Sequence, residues 1–357
     1  MFKFKLKHLA IALSIFSASI VSQFVIAEST SKKSDNRTWT NIECKSQDEL
    51  RVDYPEVTHR PSASGVNYGR GILWKVIMPE LLNLGTNYVF ATAHADADLS
   101  SYHVCAERFI GIPHFTSTYI AETNQSSESN NVYLKRSVLE EGTLEPLLGK
   151  KMFKKYMNVL DGHGWSPAQI EELKLHSVKP WRIGIHIIRT DEIPLEMQLY
   201  KRAERMNKEI VNVESMDELI DMLERFPYED WIALASESLD DLETMETMIE
   251  KTMNFYALQD IGRIYQDTVS YNNSKNPEIE KRINEMMLFE RTDKMIKVAV
   301  REFKKGKVFM AVGAAHVPGE RGLLQGLVNA GYQVSPVFVL YSLKSRGRSR
   351  AEIEASQ

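Results

Sequence analysis

The sequence predicts an α/β fold in which a central mixed sheet is built from two α/β halves that flank a mostly helical middle. Short apolar runs typical of buried strands occur near both ends of the chain, at 88–94 and 308–312. Between them, residues 143–305 are dominated by segments with helical periodicity. The two ends also share a local pattern, VFATAH (89–94) and VFMAVGAAH (308–316), in which a strand and small residues precede a histidine.

The first half contains three predicted strands. They cover 71–76, 88–94 with a terminal histidine, and 115–121, which is followed directly by Glu122. The polar stretch 123–131 (TNQSSESNN) is predicted to be a surface loop.

The middle of the chain is predicted to be helical because its apolar residues recur every three or four positions. The second of these helices begins at Ser166–Pro167, since serine is a preferred N-cap and proline suits the first turn. The predicted helices cover residues 151–160, 167–175, 194–207, 216–225, 232–265 and 277–305. A short strand at 209–213 interrupts them and leads into Glu214.

Residues 307–339 are predicted to form a strand, a small-residue turn, a helix and a second strand. The turn carries His316 at the carboxyl end of the first strand. Ligands and catalytic residues of open α/β sheets collect at the carboxyl ends of the strands.

The first 27 residues are predicted to be a secretory signal peptide. A basic start precedes an apolar core over 9–21, and small residues allow cleavage after Ala27. The protein is therefore expected to be periplasmic or secreted, without stable membrane insertion after cleavage. The alternative is an uncleaved inner-membrane anchor, although the apolar stretch is shorter than the about 20 residues of a spanning helix.

The remaining chain is divided by composition into three parts. Residues 28–65 are polar and predicted to be a flexible N-terminal arm, 66–342 form the folded domain, and 343–357 form a polar tail. Cys44 and Cys105 suggest one disulfide in an oxidising compartment, but two unpaired core cysteines are the alternative.

The charge balance excludes some partners. The chain has 44 Lys and Arg against 48 Asp and Glu, a formal net charge of −4, and no basic stripe. Nucleic acid is therefore not an expected partner. G-x-S-x-G, Walker and H-E-x-x-H patterns are also absent from the sequence.

Four predicted strands end on a residue that can bind a metal ion: His94, Glu122, Glu214 and His316. Each alone is more often a hydrogen-bonded structural residue or a helix cap. Parallel strands, however, would bring all four side chains to one edge of the sheet. Two imidazoles and a carboxylate are a common catalytic metal set, and a further carboxylate can act as general base.

Several segments resemble the TraB/GumN family, which includes the TIKI proteins. VFMAVGAAHVPGERGLLQGLVNAGYQVSPV resembles the family's closing signature, and GILWKV with YVFATAHADAD resembles its opening strand and first histidine motif. The other similar segments are STYIAET, GTLEPLL, KPW, PLEMQLYKRAERMNKEIVNVES and FERTDKM. The resemblance covers about residues 70–340 and implies the TIKI-like α/β fold.

The resemblance implies a divalent-metal protease with two G-x-x-H motifs and an essential glutamate. Gly313 and His316 match the second motif, and His94 matches the first, where Ala91 replaces the glycine. A turn that needs the left-handed conformation of glycine would be strained by this alanine.

Arg291 stands where the family has an arginine, but the usual asparagine after it is Thr292. Arg291 would either stabilise a developing oxyanion or pair with a carboxylate. The motif does not decide whether Glu122 or Glu214 is the essential glutamate.

The predicted function is a secreted metal-dependent hydrolase that acts on peptides or proteins. His94, His316 and Glu122 would hold a divalent ion (Mn, Co or Zn), with Glu122, Glu214 and Arg291 as catalytic residues. The alternative is a catalytically inactive periplasmic protein that binds a peptide or a saccharide-related ligand in the same pocket. The replacement at Ala91 favours this alternative.

Overall fold

A mixed β-sheet runs through the fold and carries the candidate site at one edge. The computed structural model describes residues 44–46, 62, 64–93, 116–187, 195–270 and 274–339. Its strands are β1 (Cys44–Ser46), β2 (Leu73–Ile77), β3 (Asn87–Thr92), β4 (Thr118–Thr123), β5 (Glu209–Glu214), β6 (Val308–Gly313) and β7 (Gln333–Val339). The predicted α/β class is confirmed.

The sheet has the order β1-β7-β2-β3-β6-β4-β5. β2 pairs antiparallel with β3 and β7, and β1 pairs antiparallel with β7. The four strands β3, β6, β4 and β5 run parallel to one another. Their carboxyl ends therefore meet at one edge of the sheet, and β6, from the end of the chain, lies between β3 and β4.

Twelve α-helices occur in the described part of the chain. They are α1 (Ser127–Arg136), α2 (Leu144–Gly162), α3 (Pro167–Leu175), α4 (Ile183–Ile187), α5 (Leu195–Arg205), α6 (Met216–Leu223), α7 (Tyr228–Asp240), α8 (Leu242–Ala257), α9 (Ile261–Thr268), α10 (Pro277–Asn284), α11 (Arg291–Phe303) and α12 (Leu323–Asn329). Short 3₁₀ helices cover Pro79–Leu84, Pro180–Arg182 and Ala314–His316. A π-helical segment, Glu285–Glu290, joins α10 to α11.

Two hydrophobic clusters hold these layers together. The first surrounds the sheet, where the rings of Phe90, Phe309 and Tyr119 follow one another at centroid distances of 6.1 and 6.3 Å. The second lies among the helices of the middle region and includes the buried indoles of Trp181 and Trp231. The helical middle therefore has a core of its own.

The predicted loop at 123–131 is wrong in its second half, because α1 begins at Ser127. Ser126 caps this helix by accepting a hydrogen bond from the backbone N–H of Ser129, and Glu128 suits its first turn. Tyr133 then buries the helix against Trp181, with ring centroids 5.7 Å apart. The helix was not predicted because its residues are mostly polar.

The long helix predicted over 232–265 is three helices, α7, α8 and α9. Asp241 ends α7 and caps α8 by accepting from the N–H of Thr244, and Gln259 has a φ of 56° between α8 and α9. Residues Cys44–Ser46 form β1 within the segment predicted to be a flexible arm.

Some predictions fall outside the described residues. These are the signal peptide, the tail after 342, His94 and Cys105, so the pairing of Cys44 with Cys105 stays a prediction. No helix in the described ranges is long and apolar enough to cross a membrane.

Candidate functional site

Three of the four predicted strand-end residues lie at the shared carboxyl edge of β4, β5 and β6. Glu122 is the last residue but one of β4, and Glu214 ends β5. His316 closes the 3₁₀ turn that follows β6. All three are buried, with exposed fractions of 5%, 2% and 0%. Burial of an ionised carboxylate is costly unless it is paired, so the partners of the two glutamates determine what this edge can do.

Arg291 pairs with both glutamates. Its Nε lies 2.8 Å from Oε1 of Glu214, and its Nη2 lies 2.9 Å from Oε2 of Glu122 and 2.7 Å from Oε1 of Glu214. Burial alone would lower the pKa of Arg291, but the Glu214 and Glu122 carboxylates raise it above its ordinary value. One fixed positive charge therefore holds two buried carboxylates together.

The carboxylate oxygens of Glu122 and Glu214 differ in how many hydrogen bonds they accept. Oε1 of Glu122 accepts a hydrogen bond from the backbone N–H of Gly313, so both of its oxygens are engaged. Oε1 of Glu214 accepts from Arg291 and from the hydroxyl of Thr123. Oε2 of Glu214 is buried and has no hydrogen-bond partner within the described ranges. Glu214 thus keeps an open acceptor.

His316 contacts a residue of α11. Its Nδ1 lies 2.8 Å from the hydroxyl oxygen of Thr292, and Thr292 follows Arg291 in the first turn of that helix. α11 begins where the π-helical segment ends, and its first two residues are Arg291, which contacts Glu122 and Glu214, and Thr292, which contacts His316. π-helical segments are frequent at functional sites.

The alanine at position 91 imposes no backbone strain. Ala91 lies inside β3, where its N–H donates to Ile72 O and its carbonyl accepts from the hydroxyl of Tyr256, both at 2.7 Å. Gly313, the matching glycine of the second motif, has φ −56° and ψ 140°. Neither position uses the left-handed conformation that favours glycine, so the strain considered for Ala91 does not arise.

The first histidine motif follows a strand that adjoins β6. Thr92, the last residue of β3, pairs in parallel with Gly313, the last residue of β6. Neighbouring strands lie about 4.8 Å apart. His94 follows Thr92 by two residues but lies outside the described residues.

The described residues do not make up a divalent-ion site on their own. Within them, no group of three or more His, Cys, Asp or Glu side chains is arranged to hold a metal ion. Glu122, predicted as a metal ligand, is bound by Arg291 and Gly313. The guanidinium also offsets the negative charge that would attract a cation. A metal site here would need His94.

Sequence reasoning missed Thr123 and the role of Thr292 as the partner of His316. Thr292 stood out only as a departure from the asparagine of the TraB/GumN pattern. The contact with His316 depends on how α11 meets the turn after β6, for which spacing along the chain gives no signal.

The fold and this edge define a mixed α/β protein with a buried ionic cluster at the ends of parallel strands. A family model described as the TraB/PrgY/gumN family matches residues 115–336. The chain therefore belongs to this family, as the resemblance predicted. The matched segment contains Glu122, Glu214, Arg291 and His316, whereas His94 precedes it. No curated protein and no solved structure matches the chain.

Proposed function

We propose that this protein is a hydrolase of peptide bonds whose active site lies at the carboxyl edge of β4, β5 and β6. The observation that supports this proposal most is the open acceptor on Glu214, held by Arg291 at the same edge as the buried imidazole of His316. A fixed acceptor and an imidazole together are the usual means of moving a proton in hydrolysis.

The two glutamates receive different roles in this proposal. Hydrolysis adds the hydroxyl of water to the carbonyl carbon and a proton to the departing nitrogen. Oε2 of Glu214 is the acceptor for the proton of the attacking water, because the other oxygen is held by Arg291 and Thr123. Glu122, with both oxygens engaged, positions Arg291 and Gly313. Arg291 supplies the positive charge that offsets the two buried carboxylates.

Dependence on a divalent ion remains part of the proposal through the histidines. His316 and His94 would supply the nitrogen ligands, since they follow adjacent strand ends, and Mn, Co and Zn are the ions to test. An ion held there would polarise the scissile carbonyl and acidify a bound water.

A screen of the purified chain tests the proposal. A mixed peptide library is incubated with the protein in chelator and with each ion separately, and new peptide termini are counted by mass spectrometry. The proposal predicts cleavage that is lost in chelator and restored by one of the ions. Absence of cleavage under every condition would contradict the proposal. Cleavage that is unaffected by chelator would contradict only the proposed dependence on a divalent ion.

An exported location is proposed alongside the activity. The support is the signal-like composition of residues 1–27. Export predicts that protein recovered outside the cytoplasm begins at Glu28, as N-terminal sequencing would show. A mature chain that begins at Met1 would instead fit the uncleaved anchor.

The second candidate is a binding protein without catalysis. The contacts of Arg291 favour this candidate, because a guanidinium shared by two carboxylates can hold a binding pocket together without taking part in a reaction. Such a protein would retain a peptide or saccharide-related ligand unchanged. Recovery of intact library peptides after equilibrium dialysis, without new termini, would support this candidate.

A further inference from the structure

Thr292 stands between the backbone of the π-helical segment and the imidazole of His316. It is 1% exposed and lies in the first turn of α11. Its hydroxyl oxygen is 2.6 Å from the carbonyl oxygen of Leu288, four residues earlier, and 2.8 Å from Nδ1 of His316. Two short polar contacts therefore share one hydroxyl.

The number of protons defines the direction of both bonds. A threonine hydroxyl has one proton to donate and lone pairs that accept, and a backbone carbonyl oxygen only accepts. The hydroxyl proton therefore points to Leu288 O, as in the common bond from threonine to the carbonyl one turn back. Towards His316 the same oxygen is an acceptor, so Nδ1 must carry a proton.

We propose that Thr292 is a positioning residue that holds His316 as the Nδ1–H tautomer and leaves the lone pair on Nε2. A neutral imidazole carries a proton on one nitrogen only, so the hydrogen bond made by Nδ1 assigns the role of Nε2. The opposite tautomer would place a hydrogen on Nε2, where it could only donate.

The tautomer matters for the proposed hydrolysis because a base or a ligand needs the lone pair. With Nε2 unprotonated, His316 can accept a proton from a reacting group or bind an electrophile. Partners that orient a metal-ligating histidine typically contribute about 10–100-fold to metal affinity or activity. The use of the tautomer in catalysis rests on the proposed function, whereas the tautomer itself is a property of the resting protein.

Nuclear magnetic resonance measures the tautomer without any substrate. The full chain has 9 histidines, so it is labelled with ¹⁵N-histidine, and the His316 signals are assigned by their loss in His316→Gln. Two-bond ¹H–¹⁵N correlation spectra, recorded where the imidazole is neutral, distinguish the protonated from the unprotonated nitrogen. We expect wild type to show Nδ1 protonated.

Two variants test whether Thr292 causes the His316 tautomer. Thr292→Val keeps the shape but removes the acceptor, and should shift His316 towards the Nε2–H form. Thr292→Ser restores the hydroxyl and should return the wild-type spectrum. If the library screen finds cleavage, Thr292→Val should lose about 10–100-fold in kcat and Thr292→Ser should recover it.

The outcomes separate this inference from the proposed function. An Nε2–H tautomer in the wild type overturns the inference, and so does a Thr292→Val spectrum identical to wild type. The wild-type measurement decides even if Thr292→Val fails to fold. If the tautomer behaves as expected but no peptide is cleaved, the proposed function fails while the assignment of Thr292 stands.

Discussion

At the residue scale, Arg291 is the centre of the site. Its guanidinium is 5% exposed and makes ion pairs with two side chains that are 4% and 1% exposed. Buried pairs of this kind contribute little net stability relative to an apolar replacement of all partners, but removal of one partner leaves uncompensated charge. Arg291 therefore supplies the charge that compensates Glu122 and Glu214 in the folded protein.

Replacement of Arg291 tests this role. Arg291→Met should lower the free energy of unfolding by about 3–5 kcal/mol near neutral pH, because two buried carboxylates lose their cation. Urea unfolding measures the loss.

The matched control is Arg225→Met. Arg225 pairs with Glu290 at 3.0 Å, but both side chains are exposed, so its loss should cost less than about 1 kcal/mol. Equal losses for the two variants would mean that the Arg291 network is not the buried ionic cluster described above.

The sequence located the acidic and histidine residues of this edge but not their connections. Glu122, Glu214 and His316 could be predicted because each ends or follows an apolar run, and parallel strands align such ends. The contact of Arg291 with both carboxylates depends on where α11 crosses the sheet. From the sequence alone, Arg291 could therefore be assigned either to oxyanion stabilisation or to pairing with a carboxylate. Thr292 carried no signal beyond a departure from the family pattern.

At the scale of elements, the turn between α11 and β6 positions the central strand of the site. The side chain of Asn87 spans this turn, since it donates to Phe303 O and accepts from the N–H of Val308, both at 3.0 Å. Gly306 has a φ of 71°, and a Cβ added there would lie 2.2 Å from Leu84 O. The start of β6 is therefore held against the 3₁₀ helix Pro79–Leu84.

Gly306→Ala should consequently be more damaging than an ordinary substitution in a turn. Gly331 has a φ of 93° with nothing within 4 Å of an added Cβ, so Gly331→Ala should cost only about 1–2 kcal/mol of conformational strain. Gly306→Ala should cost about 1–3 kcal/mol more, because Leu84 must move. Urea midpoints compare the two variants, and equal costs would argue against the close approach.

The types of most elements could be predicted from hydrophobic periodicity. Several of their boundaries could not, because they depend on hydrogen bonds that have no signature in the sequence. The strands predicted at 209–213 and 308–312 are confirmed to within one residue. α1 was missed because its residues are polar and its stability comes from a cap and a buried tyrosine. The π-helical segment before Arg291 has ordinary helical composition, so its change of hydrogen-bond pattern could not be predicted.

At the scale of the whole molecule, two buried titratable groups outside the site should shape stability against pH. Burial, together with the nearby Glu237 carboxylate, raises the pKa of Glu280 in α10 to about 7. Burial, with Arg182, lowers the pKa of His186 well below its ordinary value. The folded state thus holds a proton on Glu280 that the unfolded chain releases, and excludes a proton from His186 that the unfolded chain binds.

Stability should therefore decrease when the pH rises from about 4.5 to about 7, by at most about 3 kcal/mol through Glu280. Glu280→Gln removes this dependence, so the variant should gain stability relative to wild type at about pH 8 but not at about pH 4.5. Comparison at equal pH cancels His186, which acts in the opposite direction, with stability lost as the pH falls.

Urea unfolding at the two pH values gives the measurement. Glu278→Gln, at an exposed position in the same helix, is the matched control and should follow wild type at both pH values. A Glu280→Gln variant that also follows wild type would show that Glu280 is ionised in the folded protein at neutral pH.

The proposed hydrolase is tested most directly by the rate of peptide hydrolysis of His316→Ala relative to wild type. The substrate is the peptide cleaved most rapidly in the library screen, and His176→Ala, at an exposed position beside α3, is the control. If His316 acts in catalysis, His316→Ala should lose at least about 100-fold while His176→Ala keeps the wild-type rate. A folded His316→Ala protein that hydrolyses the peptide as fast as wild type would contradict an active site at this edge of the sheet.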